Sequence, residues 1–509
     1  VLLADLVDAS RAMASDPSRR GKKKVMAELL RHVPPSEIAI AVSYLSGALR
    51  QRRTGVGWAS LRSRPPGAAE ASLNLFEVDE AFARAASLSG GGSAAERRGV
   101  MEGLFSRATQ EEQDFLVRLV SGELRQGALA ALVAEALALA TDTDVGLVRR
   151  ASMLAGGLGP VAEALLIEGQ QGLDRYRLQV GSPVQPMLAQ AAGSLEEAMA
   201  RLPATAVEWK LDGIRIQVHR AGSEVSVFSR SLDRLTHRVP EIVNAVLSLP
   251  NEAVILDGEA IRLGDADRPL PFQETGRRVA TREDVPALTS TAPLSAFFFD
   301  VLHLDGEDLI DRPAEERFRI LEAALPERFL VPRLIRPSAE SAAEFSRDAL
   351  ARGHEGVIVK DLAAPYEAGR RGGAWLKVKP HHTLDLVVLA AEWGHGRRQG
   401  WLSNLHLGAR NAETGEFVML GKTFKGLTDE MLTRQTSALL ALRESDNGWL
   451  VRVRPELVVE VAFDGVQRSP RYPGGVALRF ARVVRYRDDK RSWEADTIDT
   501  VRRIFSSGR

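Results

Sequence analysis

The spacing of apolar positions changes twice along the chain. Up to about residue 170 it is helical. Ala130-Ala131-Leu132-Val133-Ala134-Glu135-Ala136-Leu137-Ala138-Leu139 is a run of strong helix formers, and residues 10–30 carry leucine or methionine at scattered helical spacings. Ser89-Gly90-Gly91-Gly92-Ser93 predicts a flexible loop between helices. Beyond Gly172, Gly181-Ser182-Pro183 and Pro186 punctuate a linker, and alternation of period two begins. Strands are expected at 206–210 and 214–219, separated by Leu211-Asp212-Gly213, and again at 225–228, 253–256, 296–301 and 356–360. A helix is expected at 314–325. From residue 384 short strands recur at 384–389, 405–407, 417–420 and 457–463, interrupted by a helical stretch at 428–442. That spacing suits a small β-barrel. The pattern is a helical third, an α+β middle and a β-rich end.

Length and composition narrow the class. At about 150 residues per domain, 509 residues suggest roughly three domains. Lys+Arg 67 equals Asp+Glu 67, so any surface for nucleic acid must be local. One such stretch is 465–490, with seven Arg/Lys against two Asp/Glu; the cluster Arg19-Arg20-Gly21-Lys22-Lys23-Lys24 reads more simply as a solvated helix face. The chain has no cysteine, which removes disulfides, thiolate catalysis, Cys-ligated zinc and iron–sulfur chemistry. The most apolar helical run, 128–140, is short and carries Glu135, and the first residues lack a basic region before a long apolar one. A soluble, intracellular protein is expected.

Candidate chemistry begins at Lys210. Glu208, Lys210 and Asp212 alternate, so an extended backbone would turn all three to one face and send Trp209 and Leu211 to a core. A lysine among other cations loses proton affinity and becomes a usable amine nucleophile. Four strand-like segments follow in order. Leu256-Asp257-Gly258-Glu259 brings two carboxylates, and Phe297-Phe298-Phe299-Asp300 offers an aromatic face to a base. Glu355-Gly356-Val357-Ile358-Val359-Lys360 and Trp375-Leu376-Lys377-Val378-Lys379 bring an acid and three lysines. A basic segment, Arg479 to Lys490, closes the series with Arg482, Arg485 and Arg487. Each segment alone reads more readily as structural; the ordered set does not. Two competing motifs fail. Gly421-Lys422-Thr423 lacks the P-loop glycine at 416, which is Glu416, and no His-Glu-x-x-His occurs among the nine histidines.

Lys210-Leu211-Asp212-Gly213-Ile214-Arg215 resembles the nucleophile motif of the covalent nucleotidyltransferases: ATP-dependent DNA ligases, RNA ligases and mRNA capping enzymes. The Asp-Gly-Glu, Phe-Asp, Glu-Gly-x-x-x-Lys, Lys-Val-Lys and basic C-terminal segments match the same series, with Ala481 where proline is common after Arg-Phe. Gly122-Glu123-Leu124-Arg125-Gln126-Gly127 and Gly55-Val56-Gly57-Trp58 resemble parts of the helical DNA-binding domain of larger ATP-dependent DNA ligases. RNA ligases and capping enzymes do not usually carry that domain. NAD-dependent ligases use a Cys-ligated zinc module that this chain cannot build. The sequence is therefore most similar to the three-domain bacterial or archaeal ATP-dependent DNA ligases; a non-catalytic DNA-end binder of the same fold would be expected to have lost Lys210.

The resemblance implies a multidomain fold: an all-α DNA-binding domain at 1–175, an α+β adenylation domain at 183–382 and an OB-fold barrel at 383–509. It implies ATP and Mg²⁺ as cofactors and nicked duplex DNA as partner, with a monomer in the cytoplasm and no membrane. Lys210 would attack the α-phosphate of ATP, the AMP would pass to a DNA 5′-phosphate, and the 3′-hydroxyl would then displace it. Lys377 and Lys379 would face the α-phosphate, Phe299 would stack on adenine and Glu208 would read its edge. Glu259 and Glu355 would hold the metal, Glu259 alternatively bonding the ribose. Arg215 and Arg230 would contact nucleotide or DNA phosphate, and Arg482 and Lys490 the leaving pyrophosphate after a hinge motion near Pro380. Arg125, Arg230 and Lys360 would touch DNA.

Overall fold

The computed structural model describes residues 1–509 except 52–53, 58–60, 62–63, 123, 125–129, 265–266, 282–284, 368–372, 380–381, 396–397 and 508–509. Described elements between Leu3 and Arg175 are helices. The stretch expected to be helical at 10–30 is two helices, Leu3–Ser15 and Arg19–His32, because Pro17 cannot continue the first. Ser18 restarts the chain as a cap, its hydroxyl accepting from the Gly21 N–H. Asn74 with Glu77, and Thr109 with Glu112, form capping boxes at two further helix starts. The apolar faces meet in one core that includes Tyr44, Phe82, Phe105 and Phe115.

The middle of the chain forms two five-stranded sheets. One runs in the order Gln190–Ala191, Trp375–Val378, Val357–Asp361, Thr205–Trp209, Arg333–Ile335; the other runs Glu224–Ser229, Ile214–Ala221, Ala253–Ile261, Ser295–Leu304, Glu307–Asp308. Thr205–Trp209 belongs to the first sheet and Ile214–Ala221 to the second, so Lys210 to Gly213 is where the chain crosses between them. Helix Ala339–Ala351 packs on the first sheet and Pro240–Leu247 and Ala314–Ala324 on the second. The helical third is seated on this region. Met153 and Leu154 share a core with Val184, Met187, Ile255, Leu302 and Tyr366, and Arg150 pairs with Asp311.

The C-terminal sheet branches at His382–Trp393, which pairs with Leu402–Arg410, Leu450–Val453 and Val458–Phe463. Arg482–Tyr486 adds to Val458–Phe463. The expected closed barrel is not found in these ladders. Gly465–Arg468 and Val476–Arg479 form a separate hairpin around Pro470 and Pro473, which supply no ladder donors. The two edges do approach: the Val483 N–H donates to the Lys425 C=O at 3.0 Å. Lys422 lies on the strand Phe417–Thr423 paired with Glu392, a sheet position and not a phosphate loop. Among the described residues no helix is long and apolar enough to cross a membrane.

Candidate active site

The crossing between the two sheets opens a cavity of about 470 Å³, a size suited to a nucleotide. Lys210 follows directly on the strand Thr205–Trp209, and its backbone is clamped from both sides. Its N–H donates to Gly356 C=O at 2.8 Å, and its C=O accepts from the Glu355 N–H at 2.9 Å. Two glycines permit the approach. A Cβ at Gly213 would lie 2.3 Å from Ile261 Cγ2 and 2.4 Å from Ala260 O. Gly356 has φ +133°, and a Cβ there would lie 2.3 Å from Val378 O.

Charge is layered across the cavity. At its mouth the Lys210 amine pairs with Glu355, whose other oxygen takes Lys379 Nζ at 2.7 Å. Burial would raise the Glu355 carboxyl, but Lys210 and Lys379 outweigh it and hold it at about 2. Asp212 is raised by burial and by Glu355, against Arg479 and Lys210; Arg479 Nη1 comes within 3.7 Å of it from the C-terminal region. Glu259 is pushed up to about 7 by burial, against Lys210 and Arg215.

The deep end carries a buried charge cluster. The Glu208 carboxylate, 2% exposed, accepts from Arg333 Nε at 2.7 Å and pairs with Lys360 Nζ at 2.5 Å. Arg333 stands directly opposite Glu208 in the antiparallel ladder. The Lys360 ammonium lies 4.5 Å from the Phe299 ring centroid and 4.3 Å from that of Trp375. Along one wall Arg215 grips Asp257 with two bonds, at 2.9 and 2.5 Å.

Glu208, Lys210, Arg215, Arg230, Glu259, Phe299, Lys377 and Lys379 all line the cavity, and Glu355 joins it through the two lysines. Lys360 corrects the sequence reading. It was expected on DNA, yet it is 1% exposed and lines the cavity floor, because the alternation of its strand turns it inward onto Glu208. Arg482 and Lys490 lie outside the cavity, Arg482 at 3.7 Å from Asp464 and Lys490 at 2.6 Å from Asp385. Arg125 and the hinge expected at Pro380 fall outside the described residues. Sequence reasoning missed Arg333 and Tyr366. Arg333 sits in a three-residue strand and has no local motif to mark it. Tyr366 is one of only five tyrosines, which is a weak cue without its partners.

A lysine amine facing a nucleotide-sized cavity lined by lysines and carboxylates defines a site equipped for nucleotidyl transfer. Residues 186–379 match the family described as ATP dependent DNA ligase domain, 398–490 its C terminal region and 59–138 the DNA ligase N terminus. A "Probable DNA ligase" of Anaeromyxobacter sp. (strain K) is 55% identical over 511 residues, covering 99% of this chain and 100% of its own. A "Probable DNA ligase" of Mycolicibacterium gilvum (strain PYR-GCK) is 54% identical and covers 100% of both chains. The solved structure Pmar-Lig_PreS3 shares the fold, with a TM-score of 0.64 at 20% identity over 95% of this chain and 99% of its own. The chain belongs to the family of ATP-dependent DNA ligases. It is an enzyme that uses ATP to seal nicks in DNA through an adenylate intermediate, built from an N-terminal region, a nucleotidyltransferase domain and a β-rich C-terminal region.

Proposed function

We propose that Lys210 is the nucleophile and that the cavity around it binds ATP. The observation carrying this is the Lys210 amine held by Glu355 at the mouth of a cavity that Lys377 and Lys379 also line. The neutral amine attacks the α-phosphorus, the P–N bond forms, the bond to the β-phosphate oxygen breaks and pyrophosphate leaves. Glu355, paired with Lys210 and Lys379, orients the amine, and the proton lost on attack passes to solvent. Lys377 and Lys379 neutralise charge on the phosphate. In the later steps the 5′-phosphate oxygen of the nick displaces Lys210 from AMP, and the 3′-hydroxyl then displaces AMP.

The base is read at the cavity floor. Phe299 supplies the stacking face, Glu208 accepts from the adenine amino group and Lys360 donates to the neighbouring ring nitrogen. Guanine presents the opposite donor–acceptor order, so it would meet acceptor with acceptor and donor with donor. Arg215 and Arg230 serve the sugar–phosphate side. Arg482 and Lys490 reach pyrophosphate when the C-terminal region closes further over the cavity.

Glu259, which lines the cavity, is the carboxylate that would hold a divalent cation. Its carboxyl, raised by burial, gains from a hard cation, while among the described residues no three His, Asp or Glu groups cluster for a metal. Phosphate oxygens and water would complete such a site; Glu355 is committed to its two lysines. Bound Mg²⁺ would supply further neutralisation of the triphosphate.

The domain reading is helical DNA-binding at 1–175, adenylation at 183–382 and an OB-type barrel at 383–509. The helices from Leu3 to Arg175 and the Val483–Lys425 bond between sheet edges support it. All proposed site residues come from one chain, which suits a monomer acting on nicked duplex DNA in the cytoplasm. The test is labelling with α-phosphate-labelled ATP and Mg²⁺, then a chase with nicked DNA. A protein-bound label that moves to DNA as the nick closes, and is absent from Lys210→Ala with an unchanged melting curve, is expected. Wild-type labelling of Lys210→Ala would remove the lysine from its role.

A further inference from the structure

We propose that Tyr366 is a positioning residue of the adenylation site, its hydroxyl tying Met187 and Asp257 to Arg215 and so setting the guanidinium that faces the nucleotide. The proposal rests on reading Arg215 as a nucleotide-site residue.

Tyr366 is 1% exposed and sits behind the cavity wall. Its hydroxyl donates to Asp257 Oδ2 at 2.6 Å, and accepts from the Met187 N–H at 3.1 Å and from Arg215 Nη2 at 3.2 Å. A phenol has one proton to give and two lone pairs, so these three bonds use its full capacity. Burial and Asp257 push the phenol well above its usual range, so it remains a donor. Arg215 is bound from the same centre. Its Nε and Nη2 donate to Asp257, Nη1 donates to Met187 C=O at 2.5 Å, and Nη2 also serves Tyr366. Four of its five N–H groups are thus committed among the described residues, leaving one Nη1 N–H for a ligand. The guanidinium carbon lies 5.4 Å from the ring centroids of both Phe299 and Trp375.

Without the phenol oxygen, the Met187 N–H loses its acceptor, Asp257 loses a donor and Arg215 can turn toward the vacated bond. The ring itself would stay, edge-on to Trp375 at 5.9 Å within the core shared with Met153 and Leu154. Tyr366→Phe therefore removes the lock and keeps the packing. A misplacement of about 1 Å in a phosphate-positioning group costs up to about 100-fold in rate.

The experiment is single-turnover self-adenylation of the full chain across ATP concentrations, for Tyr366→Phe, Arg215→Lys and the double variant, with melting curves for each. Tyr366→Phe is expected to lower the maximal rate about 10-fold, and to add less than about 2-fold in the Arg215→Lys background. Equal losses in both backgrounds would make the role of Tyr366 purely structural and overturn the proposal, as would a wild-type rate for Tyr366→Phe. A wild-type rate for Arg215→Lys would instead overturn the reading of Arg215, and the proposal with it. Should Tyr366→Phe fail to fold, Asp257→Asn opens the same network from its other side, with the same non-additivity expected and the same additive result against it.

Discussion

Replacing Lys360 by methionine separates two accounts of this residue. The side chain keeps its length and loses its charge, in a position 1% exposed between Glu208 and the Phe299 and Trp375 rings. Removing one member of a buried ion pair costs about 3–5 kcal/mol when the partner is left alone. Here Arg333 stays on Glu208 at 2.7 Å, so the loss of stability should be smaller, about 2–3 kcal/mol. The functional loss is separate. A hydrogen bond from a charged donor to the base contributes about 1.5–3 kcal/mol, which corresponds to about a 10- to 150-fold weaker ATP dependence. The assay is self-adenylation without DNA at graded ATP, compared with GTP, alongside a melting curve. Lys360→Met should need more ATP and discriminate less against GTP. An unchanged ATP dependence with lost binding to nicked DNA would refute the reasoning and return Lys360 to a DNA contact.

Three further outcomes follow from the geometry. Gly213→Ala drives a Cβ to within 2.4 Å of Ala260 O, so it should cost about 3 kcal/mol of stability, read by chemical denaturation, and lower adenylation; a stability within error of wild type would show that the turn has room. His219 is held at about 3 by burial, and its Nδ1 accepts from the Gly181 N–H. Because the folded value lies below the ordinary one of about 6.5, this contribution is complete above pH 6.5 and is lost as pH falls toward 3. His219→Asn should flatten that part of the acid denaturation profile, and an identical profile would contradict the assignment. Binding to nicked DNA should fall steeply with salt and vary little with sequence, as phosphate contacts dominate; salt-independent binding measured by titration would contradict it.

Much of the site was legible because it is written in short segments. Lys210, Glu259, Phe299, Lys377 and Lys379 each end or line a strand whose alternation was visible, and those strands appear at Thr205–Trp209, Ala253–Ile261, Ser295–Leu304 and Trp375–Val378. Lys360 was read on the right strand and given the wrong surroundings. A charged residue at a strand end is ordinarily solvated, and nothing local shows that an acid 152 positions earlier (360 − 208) waits beside it. Closure of the β-rich end was not legible for a related reason: strand spacing shows how many strands there are, and pairing alone shows whether they close.

The sequence by itself determined the order of helical, mixed and β-rich regions, the placing of Lys210 beside its turn glycine Gly213, and the chemical class of the cavity lining. These depend on periodicity and on residue types a few positions apart, which local backbone geometry translates directly. Tertiary structure alone decided which charges meet. Arg333 reaches Glu208 across 125 residues, Tyr366 reaches Asp257 across 109, and Lys379 reaches Glu355 from the neighbouring strand. Burial raises the cost of an unpaired charge, so partners are set by which strands lie side by side, and that is a property of the folded sheet.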